Sequence, residues 1–235
     1  MAKIILRIFA LCCLTLSAFG QNPVPAALQC VNTDGQPGEP SSVEPMSAEE
    51  AVRLNEAPHG AKRLGKHQLQ IGWMGGNRAF KDQPPYDAPL DGLSWVYCGY
   101  SPAAKFHLIG KSDKGLFTGT LLDDNTGTLL PGGEAVLFSP DQRYYIAYEQ
   151  PDGQDGETLK LFKHDGSVIW KGYNGFLSPD GKSVIVDSED MRDMRWDDQN
   201  RPQATVHLKG NRTVTVTLMR DVNGTLDWLP HINAE

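Results

Sequence analysis

Histidines and acidic residues are the side chains of this sequence that could bind a metal ion or act as an acid or base. Ser101 follows Gly99-Tyr100 as in a nucleophile elbow, but Ala103 replaces the final glycine and no helix pattern follows. The sequence therefore predicts no catalytic residue. The six histidines show neither the HExxH pattern nor another spacing typical of metal ligands: His59, His67, His107, His164, His207 and His231.

One acidic segment could bind calcium. Asp152, Asp155 and Glu157 alternate with Gly153 and Gly156, and carboxylates at this spacing could coordinate Ca²⁺. The spacing fits no EF-hand loop, and Asp-Gly pairs are also common in hairpin turns. We therefore expect no cofactor, with calcium at these three carboxylates as the alternative.

A second acidic segment, residues 187–198, mixes carboxylates with Arg, Met and Trp. Trp and Arg are residue types that anchor protein interfaces. The alternative is a solvated loop whose tryptophan packs back on its own sheet. The residues that we predict to contact a partner protein are Asp193, Arg195, Trp196, Asp197 and Asp198.

A repeated β-unit is expected to position these residues. Ser-Pro pairs at 101, 139 and 178 recur at spacings of 38 and 39 residues. A strand pattern follows each turn, and a hairpin follows each strand. The third unit is about five residues longer, and the extra residues fall in 187–198, which we predict to be an inserted loop. A basic residue stands four positions after each serine and an aliphatic residue seven positions after it: Lys105, Arg143 and Lys182, then Leu108, Ile146 and Ile185.

Two of these turns resemble the blade-opening turns of TolB-type and WD-repeat-like β-propellers: Phe138-Ser139-Pro140-Asp141 and Leu177-Ser178-Pro179-Asp180-Gly181-Lys182. The decapeptide at 121–130 resembles the outer hairpin of such a blade, so the resemblance covers about residues 93–220. The Gly-His signature of true WD repeats is missing, and Trp196-Asp197 lies elsewhere in the repeat. The resemblance implies a propeller fold that binds at the channel mouth or rim, and it implies no reaction.

The fold prediction combines the repeats with the resemblance. We predict an all-β fold, a small and irregular β-propeller-like stack of four to five four-stranded antiparallel blades in residues 67–235. Since three repeats are evident, residues 67–100 are expected to supply a further blade. The C-terminal strand at 225–229 could complete a blade by pairing with an N-terminal strand. The alternatives are an open ring and a ring closed by two chains.

The N-terminal third carries an export pattern and then an arm. Residues 1–20 read as a secretory signal peptide, with a basic start, a short apolar stretch and small residues at 18 and 20. Residues 21–66 are predicted to form an arm with a short helix, which Ser47 caps and Glu50 supports in a capping box. No apolar run reaches the length of a membrane span. We expect export, to the periplasm if the source is bacterial.

Two cysteines, Cys30 and Cys98, would remain after removal of the signal peptide. In an oxidising compartment they are predicted to form one structural disulfide, which would staple the arm to the β domain. The alternative is a reactive or metal-binding pair, although neither a CxxC spacing nor a nearby His cluster supports metal.

The charge balance is acidic, with 22 Lys+Arg against 29 Asp+Glu and a net charge of −7. This balance argues against a nucleic-acid partner, because a phosphate backbone requires a basic face. We predict an exported, non-enzymatic binding protein that recognises another protein through its blade loops, for example a periplasmic inhibitor or immunity protein. The alternatives are a secreted hydrolase acting on glycan or peptide with carboxylates at the channel mouth, and a structural module of an envelope complex.

Overall fold

The computed structural model describes residues 27–30, 45–86, 91–149, 158–173, 176–177, 184–185, 191–208 and 212–230. In these ranges the chain forms one helix, α1 (Ala48–Glu56), and eighteen strands, which confirms the all-β prediction. None of the helical structure there has the length and apolarity that a membrane crossing requires. The strands are β1 (Leu28–Gln29), β2 (Ala61–Arg63), β3 (Gln68–Trp73), β4 (Gly76–Lys81), β5 (Leu93–Ser101), β6 (Phe106–Asp113), β7 (Leu116–Asp123), β8 (Leu129–Pro131), β9 (Ala135–Phe138), β10 (Tyr144–Glu149), β11 (Thr158–Lys163), β12 (Val168–Tyr173), β13 (Phe176–Leu177), β14 (Val184–Ile185), β15 (Met191–Trp196), β16 (Pro202–Leu208), β17 (Arg212–Arg220) and β18 (Leu226–Pro230).

The strands form antiparallel sheets in which strands that follow one another in the chain lie side by side. The sheets of the described ranges are β2–β4, β5–β8, β9–β12, β13–β14 and β15–β18. The first strand, β1, is the exception, because it pairs with β9 and extends that sheet to five strands. Both β1 and β2 lie within the segment that the sequence suggested to be an arm, so sheet structure begins before residue 67.

Three clusters of buried apolar residues join the larger sheets in chain order. One lies between β2–β4 and β5–β8, the next between β5–β8 and β9–β12, and the last between β9–β12 and β15–β18. In the middle cluster the rings of Phe106 and Phe138 stack with centroids 5.6 Å apart. Each of the four larger sheets therefore buries at least one face against the next larger sheet in chain order, which is how strands of alternating polarity form a core.

The two described Ser-Pro turns each precede a strand, as the sequence predicts, and they join β5 to β6 and β9 to β10. The turn at Ser139 joins β9 to β10, and its hydroxyl accepts the Tyr144 N–H at 3.0 Å and donates to Asp141. Asp141 in turn accepts from the Arg143 backbone N–H and side chain. The basic residue four positions after the serine therefore closes this turn. The third Ser-Pro turn, at 178–179, lies outside the described residues, and β13 and β14 flank it.

The third predicted unit is split between two sheets, and the inserted-loop prediction is wrong for residues 191–196. These residues form β15, which pairs with β16 and opens the last sheet. The predicted third hairpin, at 204–218, is consequently the middle strand pair β16–β17. The last sheet has its own opening turn, in which Asp197 and Arg201 stand four residues apart and form an ion pair at 2.7 Å. An aspartate replaces the serine there, so the Ser-Pro spacing could not reveal this turn.

The chain ends also differ from the expected pairing. The C-terminal strand β18 pairs with β17, and the N-terminal strand β1 pairs with β9. Cys30 follows β1 and forms the predicted disulfide with Cys98 of β5. The bridge is buried and links the sheet that holds β1 to the preceding sheet.

Candidate functional site

A groove of about 450 Å³ lies at the end of the first two sheets where β3 and β5 begin and β4 ends. Its walls come from the residues before α1, from the segments before β3 and after β4, and from strands β5, β6 and β7. This volume is in the range of ligand and side-chain binding sites. We call it the Asp82 groove and define it by Met46, Lys66, His67, Asp82, Tyr86 and Phe117.

Two large side chains of the Asp82 groove are more than half exposed. Tyr86 is 55% exposed and Met46 56% exposed. The Tyr86 ring stacks on the His67 ring, with centroids 3.7 Å apart and an interplanar angle of 16°. This stack gives the groove a preorganised aromatic wall, and such a ring can take part in binding without losing much side-chain freedom.

Asp82 forms the polar floor of the groove, with its side chain only 5% exposed. Its Oδ1 accepts the Trp95 backbone N–H at 2.9 Å. Its Oδ2 lies 3.6 Å from His67 Nδ1 and 4.0 Å from Arg63 Nη1, both beyond hydrogen-bond distance. Among the described residues, this Oδ2 atom accepts no hydrogen bond, so it keeps its capacity for a donor in the groove.

The free edge of β5 explains why acidic side chains collect beside the groove. β5 is the outer strand of its sheet, and its backbone groups need partners. Gln83 exchanges two backbone hydrogen bonds with Leu93, Asp82 accepts from Trp95, and Glu50 accepts the Tyr97 N–H at 2.8 Å. Side chains from α1 and from the end of β4 thus continue the pairing that a neighbouring strand would provide.

Glu50 of α1 is fully buried and has four donors. Its two oxygens accept Nε and Nη2 of Arg63 at 3.0 and 2.7 Å, and also the backbone N–H groups of Met46 and Tyr97. Ser47 caps α1 by accepting the Glu50 N–H, as predicted. The other half of the capping box, a bond from the Ser47 backbone N–H to the Glu50 carboxylate, does not form. The Glu50 carboxylate instead accepts from Met46, Arg63 and Tyr97 and thereby fixes α1 against β5.

A second polar assembly lies at the opposite end of the same sheets, where β5 and β7 end. His107 of β6 is fully buried, and the Asp124 side chain is 3% exposed. His107 Nε2 lies 3.3 Å from Asp124 Oδ1, and His107 Nδ1 lies 2.9 Å from the Tyr97 hydroxyl. We call this assembly the Asp124 cluster, and its members are His59, Tyr97, Tyr100, His107 and Asp124.

The partners of His107 fix its tautomer. An aspartate carboxylate can only accept, so His107 Nε2 carries the proton and donates to Asp124. His107 Nδ1 then accepts the Tyr97 hydroxyl proton. Tyr100 donates to the other carboxylate oxygen at 3.2 Å. Asp124 is therefore held by a phenol and a neutral imidazole instead of by a permanent cation.

Burial shifts the pKa of three members of the Asp124 cluster. Burial lowers the pKa of His107 and outweighs the opposing hydrogen bond and charge of Asp124. Burial, helped by the nearby Tyr100 and Asp124, raises the pKa of Tyr97 far above its ordinary value. Burial and then the Asp124 charge raise the pKa of Tyr100 to about 12. All three side chains are consequently neutral at physiological pH.

His59 is the exposed member of the cluster, with 43% of its side chain accessible. Its Nε2 lies 3.4 Å from Asp124 Oδ2, and its backbone has a φ of 58°, a conformation uncommon outside glycine. The turn lies so close to β3 that a Cβ on Gly72 would come within 2.1 Å of the His59 carbonyl oxygen. Close packing of this turn on Gly72 thus places His59 over Asp124.

Trp196, from the predicted partner-binding segment, lies between two sheets. Its indole N–H donates to the Leu137 carbonyl of β9 at 3.3 Å, and its ring packs on the third apolar cluster. Leu137 belongs to the neighbouring sheet, so this position differs from the alternative of a tryptophan that packs back on its own sheet. Arg195 donates to the Asp193 carbonyl and to Thr205, beside a bulge where Asp193 has a φ of 54°.

The remaining residues of that segment are at a turn and at the surface. Asp197 accepts from the backbone of Gln199 and Arg201, and these bonds with the Arg201 charge lower its pKa despite partial burial. Asp193 and Asp198 are exposed. The structure thus brings these residues together on one strand and its turn. Partner binding by the exposed carboxylates stays a prediction.

Sequence reasoning missed both the Asp82 groove and the Asp124 cluster. Their members are far apart in the chain, and Asp124 had the appearance of an ordinary hairpin-turn residue. The signal that was available is an isolated His107 among the apolar residues of the first half of β6. Among the described residues, no three potential metal ligands come together. The calcium candidates Asp152, Asp155 and Glu157 lie outside those residues.

Comparisons with known proteins leave these two sites as the guide to function. No protein-family model matches the chain, and a search of curated proteins and of solved structures gives no significant match.

Proposed function

We propose that this chain is an exported, non-enzymatic binding protein that recognises another protein, and that the Asp82 groove is its main contact surface. The observation that carries the proposal is the exposed Tyr86 ring, stacked on His67 at the mouth of a groove of about 450 Å³. Tyrosine is enriched among the residues that dominate binding energy at protein interfaces, since it combines a large apolar face with a hydroxyl.

The surroundings of the groove support recognition by a rigid surface. Glu50 and Arg63 tie α1 to β5 directly behind the groove, and Asp82 is fixed by the Trp95 N–H. A preorganised surface loses less conformational entropy on association than a flexible one. Met46, which is exposed at the rim, adds an adaptable apolar contact.

The sheet order supports the propeller-like arrangement, which we retain as a proposal. Apolar clusters join the larger sheets one after another, and most sheets are built as meanders. In this proposal the sheets are irregular blades, β1 strengthens one of them, and the sheet β13–β14 is a reduced blade. The exposed Asp193 and Asp198 would form a second, weaker contact on the last sheet.

Export is supported by two independent features. The signal-peptide pattern of residues 1–20 directs secretion, and the buried Cys30–Cys98 bridge is of a kind that forms in oxidising compartments. A periplasmic inhibitor or immunity protein is the specific version of the proposal for a bacterial source.

A photo-crosslinking experiment tests the function at the groove itself. A benzoylphenylalanine replaces Tyr86 in one variant and, in the control, Val222, which is fully exposed in the turn between β17 and β18. Irradiation in the exported fraction of the native host is expected to give one protein adduct from the position of Tyr86 and none of the same mass from that of Val222. Identical adducts from both positions, or none from either, would contradict the proposed function.

A further inference from the structure

The Asp82 groove combines a carboxylate oxygen that lacks a donor with aromatic and apolar walls. Asp82 lines the groove with a side chain that is 5% exposed, and its Oδ2 accepts no hydrogen bond from the described residues. A carboxylate oxygen can accept more than one hydrogen bond, so Oδ2 has capacity for a donor from a ligand. His67 at 3.6 Å and Arg63 at 4.0 Å offset its charge without bonding to it.

The walls are suited to an alkyl chain that ends in a cation. The lining includes the apolar side chains of Phe117, Val96 and Leu93 and the stacked rings of Tyr86 and His67. Lysine and arginine have this amphipathic form, with an apolar stem and a charged end. Their charged ends also interact favourably with the face of a tyrosine ring.

We propose that the Asp82 groove binds a lysine or arginine side chain from an extended segment of the partner protein. The inference rests on the proposed function, because it names the residue type through which the partner is recognised. The charged end of that side chain would donate to Asp82 Oδ2, and its stem would lie between Tyr86 and Phe117.

Charge favours a lysine or arginine side chain over an apolar or acidic side chain as the occupant of the Asp82 groove. The chain carries a net charge of −7, so a basic segment is attracted to it at long range. Arg63 forms a two-bonded pair with Glu50 and lies 4.0 Å from Asp82 without bonding to it, so one cation is shared by two carboxylates and the three groups together are negative. Lys66 at the exposed rim opposes a basic ligand, and its flexible side chain can move into solvent. An apolar side chain would cover Oδ2 without giving it a donor.

Short peptides test the inference without knowledge of the partner. The probes are acetyl-Ala-Leu-X-Leu-Ala-amide peptides in which X is lysine, arginine, norleucine or citrulline. Norleucine matches the lysine stem, and citrulline matches the shape of arginine without its charge. Binding is followed by NMR at the Trp95 backbone amide, which donates to Asp82. The lysine and arginine peptides are expected to bind at least about tenfold more tightly than their neutral matches.

Two variants of the groove connect the preference to its residues. Asp82→Asn retains one carbonyl oxygen for the Trp95 N–H, so the fold should survive, and it should remove the tenfold preference. Lys66→Gln should tighten binding of the basic peptides about twofold, because it removes a like charge at an exposed position. Circular dichroism and thermal unfolding check that both variants are folded.

The outcomes separate this inference from the proposed function. Equal binding of charged and neutral peptides, or no binding of any of them, would overturn recognition of a basic side chain. In either case a specific adduct from position 86 in the crosslinking experiment would leave the proposed function standing. Concentration-dependent dimerisation that Tyr86→Ala abolishes would identify a second copy of this chain as the occupant and would also overturn the inference.

Discussion

The two ends of the first two sheets each bury a carboxylate, but they hold it with different partners. At the groove end, Glu50 is bound by the Arg63 guanidinium through two bonds. At the other end, Asp124 is bound by His107 and Tyr100, with the exposed His59 nearby. The first carboxylate has a permanent cation as its partner, and the second has side chains whose charge depends on pH.

This difference assigns different properties to the two ends. Arginine stays protonated at every pH at which proteins fold, so the Glu50–Arg63 pair keeps the wall behind the groove fixed. The Asp124 cluster is stable while His107 is neutral, since the burial that lowers its pKa penalises the imidazolium. The Glu50–Arg63 pair should therefore be insensitive to mild acid, and the Asp124 cluster should be acid-sensitive.

The largest effect is expected from neutralising Glu50. Glu50→Gln removes the carboxylate that binds the 11%-exposed Arg63 guanidinium through two bonds, leaves Asp82 at 4.0 Å as its counterion, and should lower the free energy of unfolding by about 3–5 kcal/mol. The measurement is urea unfolding at neutral pH. Glu49→Gln, on the exposed face of the same helix, is the matched control and should change stability by less than about 0.5 kcal/mol. A similar loss of unfolding free energy in both variants would show that the buried Glu50–Arg63 pair is not the cause of the effect.

Local sequence patterns predicted the elements that depend on short-range interactions. The Ser47 cap, the two described Ser-Pro turns and the hairpins of the first two repeats follow from side chains that bond to backbone groups within five residues. The disulfide followed from there being only two cysteines after the predicted signal peptide. The all-β class followed from the frequency of turns and short strands.

The sites could not be predicted because they depend on contacts between distant residues. Glu50 appeared to be a helix-capping residue, and its pairing with Arg63 and Tyr97 requires knowledge of how α1 packs on β5. Trp196 had the composition of an interface residue, and its bond to Leu137 depends on the packing of two sheets. To predict that the third repeat is divided between two sheets, one would have to know that Asp197 takes the place of a serine in the opening turn of the last sheet.

The second prediction concerns the pH dependence of stability. The pKa of His107 in the folded state lies below its ordinary value of 6.5, so the unfolded state binds more protons as the pH falls. The free energy of unfolding should therefore decrease below about pH 6.5, by at most about 1.4 kcal/mol per pH unit, until the folded-state pKa is reached. Urea unfolding at several pH values between about 7.5 and about 5.5 measures this slope.

Two histidine variants identify the source of the slope. His107→Gln can still donate to Asp124 and accept from Tyr97, and it should flatten the profile between about pH 7 and about pH 5.5. His207→Gln, at an exposed position on β16, should retain the wild-type slope. The prediction fails if His107→Gln unfolds with the same pH dependence as the wild type.

The smallest effect is expected from the Tyr100 hydroxyl, which donates to Asp124 at 3.2 Å from a half-buried position. Tyr100→Phe should lower the free energy of unfolding by about 0.5–1.5 kcal/mol, and Tyr86→Phe, whose hydroxyl is in the open groove, should lower it by less.

The coupling of Tyr100 to Asp124 is tested more directly by the phenolate absorbance at alkaline pH, which reports the pKa of Tyr100. Because burial is the larger cause and Asp124 the second, Asp124→Asn should lower the pKa of Tyr100 from about 12 only part of the way towards 10. The Tyr100→Phe variant identifies which transition belongs to this residue. A return to the ordinary value in Asp124→Asn would make the carboxylate charge the dominant cause, and an unchanged value would show that Asp124 and Tyr100 are not coupled.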